Sequence, residues 1–102
     1  MITKTTLKNA ARAIEHDLFT DPDGCNYLVK DGAILRRWEP LADDGDAFRL
    51  AVALNISIHQ SPFGVDCGSY GDGITFEGWG DDRFSATRRA IVRAASALGA
   101  AL

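Results

Sequence analysis

The chain has no apolar run near the ~18 residues a membrane-spanning helix needs. At its N-terminus, MITKTTLKNAARAIEHDLF has polar side chains after every apolar residue or pair, unlike the unbroken apolar centre of a secretory leader. A cytoplasmic location is the expectation. Only two cysteines occur, Cys25 and Cys67, and only two histidines, His16 and His59; they form neither CxxC nor HxxxH. The short ligand spacings of zinc sites are therefore missing, and no metal is expected. Sequence leaves the pairing of two distant thiols open, with reduced thiols the expectation for a cytosolic chain. Gly64–Gly80 is rich in glycine but has neither GxGxxG nor the GK[ST] of a phosphate-binding loop, so it is not a nucleotide cradle. Asp21-Pro22-Asp23-Gly24 fails as a calcium loop, because its glycine comes too early and Gly32 stands where a bidentate glutamate is needed. Acids are absent after Asp82.

What is present fits one globular domain: 102 residues, 46% hydrophobic and 25% charged, enough for one modest core and too apolar for general disorder. The net charge of −3 divides unevenly. Residues 1–82 carry −7, and residues 83–102 carry +4 from Arg83, Arg88, Arg89 and Arg93. Each region is able to attract a partner, or the two attract each other.

Leu7, Ala10, Ala11, Ile14 and Leu18 keep helical spacing, predicting a helix over about Thr6–Phe19 with Thr5 or Thr6 as its cap. Asp31-Gly32 separates two short apolar runs, Asn26–Lys30 and Ala33–Trp38, the signature of a hairpin with a type I′ turn. Pro40 ends the second strand. Asp43, Asp44 and Asp46 then precede a helix over Asp44–Leu54, where carboxylates cap free N–H groups and complement the positive helix end, and Asn55 is a left-handed stop. Alternation predicts strands at Ile56–Gln60 and near Gly73–Gly78, joined by a long glycine-rich loop. Ile91, Ala94, Ala95 and Leu98 predict a last helix over Ser85–Gly99. The expected fold is α+β: one antiparallel sheet of three or four strands with three helices, in alpha-beta-alpha layers, and few polar strand positions imply that both sheet faces are covered.

Trp38–Leu54, WEPLADDGDAFRLAVAL, and Ser85–Gly99, SATRRAIVRAASALG, resemble the phage ABA sandwich domain, a family of small bacteriophage proteins. The resemblance spans about Arg36 to Gly99 and implies phage or prophage origin and the same layering. It implies no activity, since the family has no established functional residues to transfer.

No catalytic or cofactor-binding residue is assigned. Cys67 with His59 and an aspartate is the one conceivable nucleophilic set, and nothing in their spacing brings them together. The expected function is a non-enzymatic interaction protein that binds a host macromolecule, in its narrowest form a host-defence inhibitor of the anti-CRISPR kind. Candidate partner-binding residues are Asp43, Asp44, Asp46 and Asp72, whose charges suit a basic groove, the aromatics Tyr70 and Trp79 of the glycine-rich segment, and Arg89 and Arg93. A nucleic-acid-associated role through Arg88, Arg89, Arg93, Arg36 and Arg37 is the rival expectation. A homodimer stays open.

Overall fold

The structure, a computed structural model, describes residues 2–69 and 74–102. Helix α1 (Lys4–Ala13) starts behind Thr3, whose hydroxyl and that of Thr6 each accept from the other's backbone N–H, a capping box. The helix ends earlier than its apolar stripe predicts. Glu15 takes a left-handed φ of 63°, its N–H donates to the Arg12 carbonyl, and the His16 N–H donates to the Ala11 carbonyl. This is a Schellman stop with glutamate in the usual place of glycine. The next residues form strand β1 (Asp17–Thr20), where a further helical turn was expected. Leu18 still points inward, because it faces Leu28 across the β1–β2 pair.

Strands β2 (Asn26–Lys30) and β3 (Ala33–Arg37) form the expected hairpin, with Asp31 and Gly32 both at positive φ. Trp38 then leaves the sheet and is 1% exposed. Helix α2 (Asp44–Ala53) is capped by Asp43, which accepts the Asp46 N–H at 2.8 Å, and Asn55 follows it at φ 55°, as expected.

Strands β4 (Ile56–Gln60), β5 (Gly64–Ser69) and β6 (Ile74–Gly78) form a second antiparallel meander, and α3 (Arg83–Ala100) closes the chain. The α+β class, the three helices and the antiparallel pairing hold. The strands divide into two three-stranded sheets, β1-β2-β3 and β4-β5-β6, instead of one, because each strand pairs with its neighbour in sequence and α2 separates β3 from β4 in the chain. The loop expected between Gln60 and Gly73 instead contains β5, while the strand expected near Gly73–Gly78 is β6; its expected Gly73 start lies outside the described residues.

Helices cover only one side of the second sheet. Val65 and Cys67 of β5 are fully buried, as are Ala86, Ala90 and Val92 of α3. On β6 the usual pattern is inverted: Thr75 and Glu77 face α3, while Ile74 and Phe76 are 72% and 51% exposed. The inward polar atoms are satisfied. The Thr75 hydroxyl lies within bonding distance of the Ala90 and Cys67 carbonyls, and Glu77 pairs with Arg89 and Arg93. The expectation of two covered faces therefore fails here, and it fails on the first sheet too, where Phe19 and Ile34 are exposed. Helix α3 also packs against α1, with Gly99 next to the main chain of Asn9 and Ala13. A Cβ added at Gly99 would fall 1.7 Å from the Asn9 carbonyl oxygen, so the two helix backbones are as close as glycine allows.

Candidate functional site

The charged residues singled out by sequence are mostly used inside the molecule. Asp43 caps α2. Asp46 is only 7% exposed; it accepts the Glu39 N–H at 2.8 Å and an Arg49 N–H at 2.6 Å. Asp43 and Asp44 are both exposed, and Asp44 pairs with Arg88, which also donates to the Leu41 carbonyl. Asp82 caps α3 by accepting from the Phe84 and Ser85 N–H groups. Of the three acids at the start of α2, Asp46 is therefore turned inward, away from Asp43 and Asp44 at the surface. The arginines of the rival reading are engaged as well: Arg36 with Asp46, Arg37 with Glu39, Arg88 with Asp44, and Arg89 and Arg93 with Glu77. Trp79 is nearly buried, its indole N–H donating to the Ser61 carbonyl at 2.8 Å. Tyr70 and Asp72 lie outside the described residues.

Burial raises the cost of a charge on Glu77, and hydrogen bonds from Arg93 and Arg89 outweigh it, holding this carboxyl below the ordinary glutamate range. The unfolded chain, with glutamate near ~4.3, takes up this proton first. The stabilisation is complete above that pH and is lost as pH falls through the folded value. Glu77→Gln should therefore flatten the loss of stability between neutral pH and about pH 3 in urea titrations. An unchanged slope would mean that the Glu77 cluster adds no acid sensitivity.

His59 and Cys67 do not meet. Ile58 stands opposite Cys67 and His59 opposite Asp66 in the β4–β5 register, so the imidazole and the thiol project from opposite faces of the sheet. The thiol is buried, and desolvation, with Asp66 nearby, pushes it up to about 11. Both cysteines are free. A maleimide or iodoacetamide pulse on folded protein should label Cys25 and spare Cys67 until denaturant is added; equal labelling rates would contradict this burial. Among the described residues no group of three or more His, Cys, Asp and Glu is placed to hold a metal ion, and no helix is long and apolar enough to cross a membrane.

Part of the exposed apolar surface is concave. An open groove of about 400 Å³ runs between α2, α3 and β4. Ala47 and Phe48 line it from α2, Ile58 and Gln60 from β4, and Phe84 and Ile91 from α3, with Trp79 beside them. Phe48 is 64% exposed, Phe84 70% and Ile58 39%, a concentration of unburied aromatic surface in one concave place. Arg83 also lines the groove, its guanidinium 4.7 Å from the centre of the Trp79 ring, a cation–π contact. Sequence reading missed this constellation. Phe48 and Val52 fit a broad apolar stripe with Ala47, Leu50 and Ala51 of α2, but those three are buried while Phe48 and Val52 are exposed. Phe84 lies in the first turn of α3, outside the stripe that predicts the helix.

No family model matches the chain, and no curated protein or solved structure matches it.

Proposed function

We propose that this is a non-enzymatic interaction protein that binds a host macromolecule through the groove between α2, α3 and β4. One observation carries the reading: Phe48, Phe84 and Ile58 stand exposed around a concave apolar surface of about 400 Å³, the kind of patch that marks binding sites. Separation of His59 from Cys67 across the sheet removes the one nucleophilic set that the sequence suggested. Phage or prophage origin, and host-defence inhibition of the anti-CRISPR kind as the narrowest form of the function, rest on the resemblance of Trp38–Leu54 and Ser85–Gly99 to the phage ABA sandwich family; a cytoplasmic setting goes with them. Nucleic-acid association through the arginines has less support, because Arg36, Arg37, Arg88, Arg89 and Arg93 already face carboxylates.

The test compares tagged wild type, Phe48→Asp, Phe84→Asp and a control, Leu35→Asp on the exposed β3, as bait in lysate of a bacterial host. Loss of a wild-type-specific partner, by about tenfold or more, is expected for the two groove variants alone. Equal capture by all four would rule out the groove. A low-salt gel shift with duplex DNA or RNA that disappears with salt would favour the nucleic-acid reading instead.

A further inference from the structure

The groove has a wall with free main-chain hydrogen-bonding groups. Strand β4 lies at the edge of its sheet, with β5 as its only neighbour among the described residues. The Ser61 N–H donates to the Gly64 carbonyl at 2.9 Å across the β4–β5 turn, so Ser61 and Gly64 form a hydrogen-bonded pair. Antiparallel ladders alternate bonded and non-bonded pairs. In the observed register this makes His59–Asp66 and Ser57–Gly68 bonded pairs and turns the N–H and C=O groups of Ile58 and Gln60 away from β5. Outside the sheet ladder, no backbone hydrogen bond among the described residues reaches either residue. Ile58 and Gln60 are also the two β4 residues whose side chains line the groove. One stretch of edge strand thus offers unpaired donors and acceptors beside an apolar cleft.

We infer that the groove takes up an extended segment of a partner protein, which adds to β4 as a further strand. This rests on the reading of the groove as the partner site and specifies how the partner enters it. A helix laid in the cleft would cover Phe48 and Phe84 but leave the edge groups of Ile58 and Gln60 unpaired. An extended segment satisfies them and sends every second side chain to the groove side. Charge sets a further feature of the occupant. Asp44 already has Arg88, whereas Arg83 makes no ion pair among the described residues and is held in place by Trp79. The occupant therefore alternates apolar residues toward Phe48 and Phe84 and carries a carboxylate that reaches Arg83.

The test is selection of a displayed random dodecapeptide library on the immobilised full chain, followed by fluorescence anisotropy with fluorescein-labelled synthetic copies of the enriched peptides. Enriched sequences are expected to show period-two apolar spacing and an acid. N-methylation of the two alternate amides that face β4 should weaken binding about tenfold, and methylation of the intervening amides should not. Arg83→Glu should weaken acid-bearing peptides by about tenfold. Phe48→Asp and Phe84→Asp should abolish binding, with folding checked by circular dichroism since both side chains are exposed. Helical spacing in the enriched peptides, or equal losses whichever amides are methylated, would overturn strand addition while sensitivity to Phe48→Asp kept the groove reading alive. No enrichment, or peptides indifferent to both aspartate substitutions, would sink the groove reading and strand addition together. Sedimentation as a dimer that Phe48→Asp disrupts and that the peptides compete away would make the occupant a second copy of the chain, against the partner segment inferred here.

Discussion

Gly99→Ala is expected to destabilise the protein by about 3 kcal/mol, although alanine is the better helix former by about 1 kcal/mol. The two effects act at different levels. Propensity acts on the isolated helix, where a methyl group removes backbone freedom from the unfolded chain. Packing acts on the pair α1–α3, where the new Cβ would meet the Asn9 carbonyl oxygen at 1.7 Å and the Asn9 carbonyl carbon at 2.6 Å. Both are main-chain atoms inside α1, so no side chain can rotate out of the way. Helix α1 must move as a body. Moving it shifts Ala10 and Ala11, both fully buried in the core, and costs more than the usual 1–3 kcal/mol of an overpacked core. Urea denaturation followed by circular dichroism measures the net. For a domain of this size the melting temperature should fall by roughly 12–24 °C. A variant as stable as wild type, or more so, would mean that propensity dominates and that α1 is not seated against Gly99.

Particular residues show why some of this was legible in sequence and some was not. Asp31-Gly32 and Asn55 carry their conformations in their own chemistry, and the structure places all three at positive φ. The carboxylate start of α2 was readable for the same local reason. Glu15 was not readable: nothing intrinsic to glutamate favours a left-handed φ, and the Schellman stop depends on the chain turning into β1. Leu18 then misled, because an inward residue four places beyond Ile14 fits a helix and equally fits a strand that starts after a turn. Strand β5 was hidden by its glycines. At Gly64 a Cβ would meet the Glu77 carbonyl oxygen at 2.3 Å and the Phe76 ring at 2.6 Å, so this glycine marks close packing of the strand and not a loop. Alternation located β6 but gives no sign of which side is inward. The sheet turns Thr75 and Glu77 toward α3, where Ala90, Arg89 and Arg93 receive them, and leaves Ile74 and Phe76 outside. The groove was the least legible feature, since its residues come from four separate stretches of chain, and only tertiary packing brings Phe48, Ile58, Trp79 and Phe84 together.

Asp46→Ala should lower stability by about 3 kcal/mol, a loss that distinguishes a buried structural carboxylate from an acid held out to a partner. The side chain is 7% exposed and joins two elements. One oxygen accepts the Glu39 N–H just beyond β3, and the other accepts from Arg49 on α2 and lies 3.6 Å from Arg36. Truncation removes a charged acceptor from a partly buried N–H, which costs about 1–3 kcal/mol. It also leaves two arginines without their shared counter-charge. That second cost is reduced, because the Arg36 and Arg49 side chains are 44% and 55% exposed and regain water. Asp46→Asn keeps an acceptor for Glu39 and loses the charge, so about half the effect should remain. The same bond fixes where α2 begins relative to the end of β3, and Phe48 lies two residues beyond Asp46. Asp46→Ala should consequently also weaken groove-dependent capture by the part that remains folded, whereas Asp46→Asn should largely preserve it. If Asp46→Ala unfolds within about 1 kcal/mol of wild type, at the scale of an exposed ion pair, Asp46 is not the strut between β3 and α2, and an acidic surface offered to a basic partner becomes the better account of Asp43, Asp44 and Asp46.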